Sequence, residues 1–156
     1  MLQITDEMRN ELNQLRDHVY GDLTALAFMS KSGGKLHWYY ASGSRNNRYR
    51  LISFKVGHGI AGMAVRLGRT VTVSALISGS IRLRQECALM LAEQLHSAVA
   101  IPFSSTGDLP NGVLLVGNRE VRTFTESDVA KATQVAHRLG QLCAPLSLHR
   151  LIFEEN

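Results

Sequence analysis

The stretch VGHGIAGMAVRLGR, residues 56–69, carries the clearest chemical pattern in the sequence. Gly57, Gly59 and Gly62 formally match GxGxxG, but no Gly-Lys-Ser/Thr follows, and the strand-and-acid context of a dinucleotide site is missing. Apolar residues after Gly59 repeat at helical spacing, which predicts a short helix ending near Gly68. A helix N-terminus offers free N–H groups and about half a positive charge, which suffices for a monovalent anion without a lysine. The pattern predicts either an anion site or a glycine-rich turn that only begins a packed helix.

A second helix start and the single tryptophan favour the anion interpretation. ECALMLAEQL, residues 86–95, begins a helical run near a polar loop, and two helix N-termini directed at one point would form a small cage of positive potential. Trp38 lies in LHWYYAS, where alternation places Leu36, Trp38 and Tyr40 on one face of a strand. Its indole N–H is a donor with no acceptor capacity, so it suits an anion and not a cation. The alternative is an ordinary core aromatic.

Catalytic and metal-binding patterns find little support in the sequence. No two of the six histidines stand at HxxxH spacing, and no GxSxG or HExxH motif is present. Cys87 and Cys143 lie far apart and neither belongs to a CxxC pair, so we interpret them as two reduced core thiols. We therefore expect a protein that is not an enzyme and holds no metal or cofactor.

The elements that would position these residues follow from periodicity and turn signals. They are a helix capped by Thr5 and ended by Gly21, strands over 23–30, 36–42 and 51–54, a helix over 59–68, a strand over 70–74, a helix over 81–95, strands over 98–103 and 111–117, and a terminal helix that begins at a Thr125–Asp128 capping box and ends at Pro145. Hairpins flanked by helices predict the α+β class. We expect a mixed or antiparallel sheet of about six strands, with the terminal helices on one face and the short helices on the other. The 156 residues are taken as one domain, 1–156.

Composition limits the partners. A net charge of +4 is spread along the chain, and no dense run of Lys and Arg marks a nucleic-acid groove. No apolar stretch approaches the roughly 20 residues of a membrane helix, and the acidic, amphipathic N-terminus is no signal peptide. We expect a cytoplasmic protein with no nucleic-acid or membrane partner. The loop RNNRYR, 45–50, is either a solvated loop or a face that steers anions or docks a partner.

The chain as a whole resembles a GAF domain. The order of elements, the GHGIAG turn into a short helix, and the passage LAEQLHSAVAIPF carry this likeness. WYYASGSRNNRYR followed by GHGIAG, LGR and ECALMLAEQL is similar, more narrowly, to the stand-alone GAF nitrate receptors of Gram-positive bacteria. This resemblance covers almost the whole chain.

The resemblance implies a specific site. In that family, nitrate lies in a small buried pocket at the positive ends of two helices, held by backbone amides and a tryptophan. The tryptophan corresponds to Trp38, and the amides after the glycine turn correspond to Ile60 and Ala61. The third amide, at the start of the next helix, corresponds to Leu89, or to Met90 if the alignment slips by one residue. Nitrate would then be the ligand, and the protein would modulate a sensor histidine kinase that controls nitrate respiration.

One departure from the family pattern falls inside this site. The family usually has Tyr-Pro before the third amide, whereas this chain has Cys87-Ala88, so Ala88 takes the place of a proline that pre-sets the helix entry. The ligand would then be held less tightly, or would be another anion. The alternatives are a GAF module for a different organic ligand, a homodimerisation module that pairs its terminal helices, and a methionine sulfoxide reductase, which the two cysteines fit poorly.

Overall fold

A computed structural model describes the backbone of residues 4–154 and the side chains of residues 4–143. The helices are α1 (Asp6–His18), α2 (Gly59–Leu67), α3 (Ser80–Gln85), α4 (Ala88–Ala92) and α5 (Glu126–Glu154), with a short 3₁₀ turn at Arg48–Leu51. The strands are β1 (Leu23–Met29), β2 (Lys35–Ser42), β3 (Ser53–Lys55), β4 (Val71–Val73), β5 (Ser97–Phe103) and β6 (Gly112–Asn118). The chain is α+β, as predicted.

The six strands form one sheet in the order β3-β2-β1-β6-β5-β4. Every neighbouring pair is antiparallel, so of the two predicted sheet types the antiparallel one is present. The four long strands, β2, β1, β6 and β5, lie between the three-residue strands β3 and β4, and β1, β6 and β5 are buried along nearly their whole length.

Each face of the sheet has its own apolar core. The terminal helices α1 and α5 cover one face, where Met8, Leu12 and Leu139 are fully buried. The short helices α2 and α4 cover the other face, where Ile60 and Leu89 are fully buried. Full burial of one such side chain stabilises the fold by about 1.5–3 kcal/mol. The predicted division of the helices between the two faces is confirmed, and α2 and α4 are held against the sheet by their apolar residues.

A β-bulge in β2 changes which side chains lie beside Trp38. Ala27 of β1 is opposite Trp38, but the next residue, Leu26, is opposite Tyr40, so Tyr39 is an extra residue on β2. Leu36 and Trp38 therefore pack in the core beneath the short helices, whereas Tyr40 packs in the core beneath the terminal helices. The prediction that Tyr40 shares the face of Trp38 is wrong, because an extra residue reverses the alternation.

The helix ends confirm some sequence signals and correct others. Gly68 ends α2 in the left-handed conformation, with φ of 67°, and Thr125 and Asp128 exchange capping hydrogen bonds of 2.9 and 3.0 Å. The helix predicted over 81–95 is instead divided into α3 and α4 by the turn at Glu86 and Cys87. α5 continues to Glu154, so Pro145 does not end it; a proline removes one N–H but need not terminate a helix. No helix among residues 4–154 is long and apolar enough to cross a bilayer.

Candidate functional site

The turn before α2 requires glycine at three positions. Gly57 and Gly59 have φ values of +85° and +72°, in the left-handed region that side chains rarely adopt. A Cβ at Gly62 would overlap the carbonyl oxygen of Lys55. The three glycines therefore fold the chain back tightly and present the first amides of α2 without side chains in front of them.

The starts of α2 and α4 are in direct contact. A Cβ placed on Gly59 would lie 3.0 Å from the carbonyl oxygen of Glu86 and 3.3 Å from Cα of Cys87, which immediately precedes α4. The glycine is what allows this approach. The fold thus brings together the two helix starts that the sequence analysis singled out, although they are separated by more than 20 residues.

At the start of α2, the amides of Ile60 and Ala61 are buried without an acceptor. They occupy the second and third positions of the helix, where no intrahelical carbonyl is available. His58, the residue before the helix, makes no side-chain capping bond, and no loop carbonyl of the described residues accepts from either amide. Ile60 is 0% and Ala61 2% exposed, so bulk solvent does not reach these amides.

At the start of α4, the residue before the helix is Cys87, whose thiol makes no capping hydrogen bond. Leu89 and Met90 are fully buried, whereas Ala88, the first residue of α4, is exposed. Burial raises the pKa of Cys87 to about 11, although the amides of Met90 and Leu89 and the charge of Arg84 act to lower it. A neutral thiol is a weak acceptor, so these amides lack a strong hydrogen-bond partner.

Trp38 supplies a further buried donor in the same core. It is 3% exposed and packs against Phe54, with ring centroids 5.1 Å apart and planes inclined by 36°. Its backbone N–H donates to the carbonyl of Ile52 at 3.3 Å, but its indole N–H has no acceptor among the described residues. Trp38 belongs to the same core cluster as Ile60, Ala61, Leu89 and Met90, so five of the six predicted residues lie in the core on one face of the sheet.

Glu86 is a charged neighbour of this site that the sequence analysis missed. Burial raises its pKa, but the hydrogen bonds from Arg82 and from the backbone N–H of Gly59, together with the charges of Arg82 and His58, lower it further, so the net pKa lies below its ordinary value. Glu86 thus holds a negative charge at the first amide of α2. This negative charge would repel a doubly charged phosphate more strongly than a monovalent anion.

A second missed residue, Glu93, joins the far end of α4 to the basic loop. Its fully buried carboxylate accepts from Arg119 Nη2 at 2.9 Å, from the backbone N–H of Arg45 at 3.1 Å and from the hydroxyl of Ser44. Asn46 Nδ2 adds a bond of 2.9 Å to the carbonyl of Ala92. A lone Glu at the end of an apolar run gives no sequence signal, because its partners come from distant segments. The loop is therefore fixed to α4 rather than simply solvated, while the side chains of residues 45, 48 and 50 stay exposed.

The two cysteines lie in different cores. Cys87 packs beneath the short helices and Cys143 beneath the terminal helices, on the opposite face of the sheet. Burial raises the pKa of Cys143 to about 12, so both thiols are protonated at neutral pH. This arrangement agrees with the interpretation of two reduced core thiols.

The fold and the matching sequence define the class of protein. The sequence model described as a GAF domain matches residues 2–142, and the chain therefore belongs to the GAF domain family. No curated protein sequence matches the chain.

Solved structures give a narrower likeness. One is a mutated NreA protein, altered in its nitrate binding site, from Staphylococcus aureus; it is 25% identical, with a TM-score of 0.70 over 86% of this chain and 99% of that one. A second mutated NreA is 26% identical, with a TM-score of 0.66 over 81% and 99%. The hypothetical protein SA1058 from S. aureus is also 26% identical, with a TM-score of 0.66 over 77% and 98%.

A more distant neighbour supports the fold alone. It is part of a methyl-accepting chemotaxis protein, residues 122 to 287, which is 16% identical and has a TM-score of 0.74 over 90% of this chain and 88% of that one. The same architecture thus occurs in proteins of quite different sequence.

Proposed function

We propose that this GAF domain is a non-enzymatic receptor for nitrate or a similar small monovalent anion. The ligand lies where the starts of α2 and α4 meet, held by the indole of Trp38 and the amides of Ile60 and Ala61. Two of the similar solved structures are of NreA altered in its nitrate binding site, which supports the choice of nitrate.

The observation that carries the proposal is the set of buried donors without acceptors. Trp38, Ile60 and Ala61 each bury an N–H in one core, and none of these has an oxygen acceptor within the described residues. An unsatisfied buried donor costs about 1–3 kcal/mol, so three in one place are costly unless a ligand accepts from them. A planar anion with three oxygens supplies acceptors without requiring a lysine.

Burial favours an anion over a larger organic ligand. Trp38, Ala61 and Cys87 are 3%, 2% and 6% exposed, and Ile60 and Leu89 are fully buried. A ligand in contact with these residues is enclosed by them, and most organic ligands occupy far larger volumes of about 300–1,000 Å³.

Cys87 explains how this chain departs from the family pattern. The amides of Leu89 and Met90 act to lower the pKa of its thiol, but the thiol makes no capping hydrogen bond, so a ligand at these amides would lie beside the sulfur. Since α4 has only five residues, its dipole adds little, and α2 with Trp38 provides most of the binding. We therefore propose that the amides of α4 contribute less to anion binding than the amides of α2.

The regulatory output proposed here is a change in affinity for a sensor histidine kinase. Anion binding at the start of α4 orders this short helix and the segment over 75–90, and the Glu93 bonds relay the change to the loop over 44–50. Coupling requires that the kinase and the anion alter each other's affinity by the same factor.

Calorimetric titration of the full chain with nitrate, nitrite, chloride and iodide tests the proposal. We expect saturable binding at one site, tightest for nitrate or nitrite. If none of the four anions binds at millimolar concentration, the proposal is wrong.

A further inference from the structure

A polar cavity lies outside the candidate nitrate site. It has a volume of about 170 Å³ and opens between the end of β4, helix α3 and the residue before β5. Ser74, Ser80, Arg84 and His96 contribute polar groups to its lining, and no Asp or Glu lines it. The cavity therefore presents hydroxyl and basic groups without a compensating negative charge.

Ser80 stands out among the buried polar residues. Seven of the eight buried polar side chains in the described part of the chain make hydrogen bonds, and Ser80 alone makes none. Ser80 is 3% exposed and is one of the residues that line the cavity, which is therefore the space where a partner for its hydroxyl would lie. Buried hydroxyls are almost always paired, so this exception calls for a partner in the cavity.

Arg84 places a fixed positive charge on the same cavity. Its Nε donates to the carbonyl oxygen of Leu95 at 2.7 Å, which pins the half-buried guanidinium. Its terminal nitrogens have no partner among the described residues. The ring of His96, which is exposed at the mouth, is a further hydrogen-bond donor.

We propose that this cavity binds a small organic acid through its carboxylate. The terminal nitrogens of Arg84 and the hydroxyl of Ser80 donate to the carboxylate oxygens, and His96 closes the mouth. The short hydrocarbon part lies against Val73 and Ile81, which also line the cavity. The proposal depends on these side chains and not on the six-residue helix α3 as a dipole.

Size and charge select a carboxylate. The cavity is smaller than the roughly 300–1,000 Å³ of drug-sized pockets, which excludes a nucleotide but admits an acid of a few carbon atoms. A guanidinium matches the two oxygens of a carboxylate geometrically. A doubly charged phosphate would meet only one permanent cation here, and it would gain nothing from the apolar wall.

Calorimetry on the full chain with propionate, propionamide and inorganic phosphate tests this assignment. Saturating nitrate is present throughout, so that the site at Trp38 is occupied. Propionate should bind, and propionamide and phosphate should not. Ser80→Ala should weaken propionate binding about fivefold, the effect of one hydrogen bond, and Arg84→Gln should weaken it by about 13-fold or more.

Two controls separate binding from folding. Because Ser80 has no protein partner to lose, Ser80→Ala should leave the melting temperature unchanged or raise it. Ser127→Ala, at an exposed serine in the first turn of α5, should change neither propionate affinity nor melting temperature.

Three results would overturn the inference. They are the absence of propionate binding at tens of millimolar, equal binding by wild type and Ser80→Ala, and binding of phosphate in preference to propionate. A separate nitrate titration without propionate distinguishes failure of the nitrate proposal, since the two sites share no ligand-contacting side chain.

Discussion

Replacement of Trp38 by phenylalanine isolates one predicted contact with the anion. Phenylalanine keeps an aromatic ring against Phe54 but removes the indole N–H, which has no protein acceptor. Since that donor is unpaired without ligand, its removal breaks no hydrogen bond in the unliganded protein. The smaller ring leaves a void that costs on the order of 1 kcal/mol of folding free energy.

The expected loss in binding is larger than this change in stability suggests. A hydrogen bond to a charged partner contributes about 1.5–3 kcal/mol, so nitrate affinity should fall by about 13- to 160-fold. At a nitrate concentration of about 100 times its Kd, binding stabilises the wild type by about 2.7 kcal/mol. A variant that binds about fiftyfold more weakly would gain only about 0.6 kcal/mol at the same concentration.

Calorimetry measures the affinity, and thermal melts with and without nitrate give an independent readout. The nitrate-induced rise in Tm should shrink from roughly 5–11 °C to roughly 1–3 °C. Tyr40→Phe is a matched control, because it removes a polar hydrogen from the same strand on the opposite face of the sheet. Equal nitrate affinity in folded Trp38→Phe and wild type would refute the role of the indole.

The remaining predictions concern the effect of Cys87 on nitrate binding, the buried ion pair of Glu93, and the pH dependence of stability that the two cysteines produce. Cys87→Ala should tighten nitrate binding severalfold in calorimetry, because it removes the sulfur beside the α4 amides. Cys143→Ala, in the core on the other face of the sheet, should only lower stability. Weaker nitrate binding by Cys87→Ala would contradict the proposed interference by the thiol. Glu93→Gln leaves the charge of Arg119 without its buried counter-charge and should cost about 3–5 kcal/mol in denaturant unfolding. Glu11→Gln, in a more exposed pair, should cost less than about 1 kcal/mol, and equal costs for the two variants would argue against a large contribution from the buried ion pair. Burial raises the pKa of Cys87 from 9.0 to about 11 and that of Cys143 from 9.0 to about 12. As the pH rises, the thiols of the unfolded chain therefore lose their protons before those of the folded chain. The stability that this difference provides is fully present below pH 9 and should fall as the pH rises toward 12. Unfolding at stepwise pH should show a smaller fall in Cys87→Ala/Cys143→Ala, and an unchanged fall would contradict the assignment.

Local signals in the sequence predicted the fold and the position of the start of α2 well. The glycine spacing at Gly57, Gly59 and Gly62 predicted the start of α2, because only glycine tolerates those backbone angles and contacts. Gly68 and the capping box at Thr125 likewise marked helix ends through interactions a few residues long. Where a feature depends on neighbours in sequence, its pattern was sufficient.

Features that depend on distant segments could not be predicted. The bulge at Tyr39 is set by pairing with β1, and the break at Glu86 depends on contact with Gly59. The buried position of Glu93 requires Arg119, which lies on the chain after β6. Pro145 shows that a strong local signal can also mislead, since the proline does not end α5. In each case, tertiary contacts or helix continuation decided the outcome over the local preference.

The most direct test of the central claim is a crystal structure of the full chain grown with nitrate. We predict planar density at the start of α2, within hydrogen-bond distance of the indole nitrogen of Trp38 and of the backbone nitrogens of Ile60 and Ala61. Nitrate bound only elsewhere, or a water molecule at this position under saturating nitrate, would contradict the account.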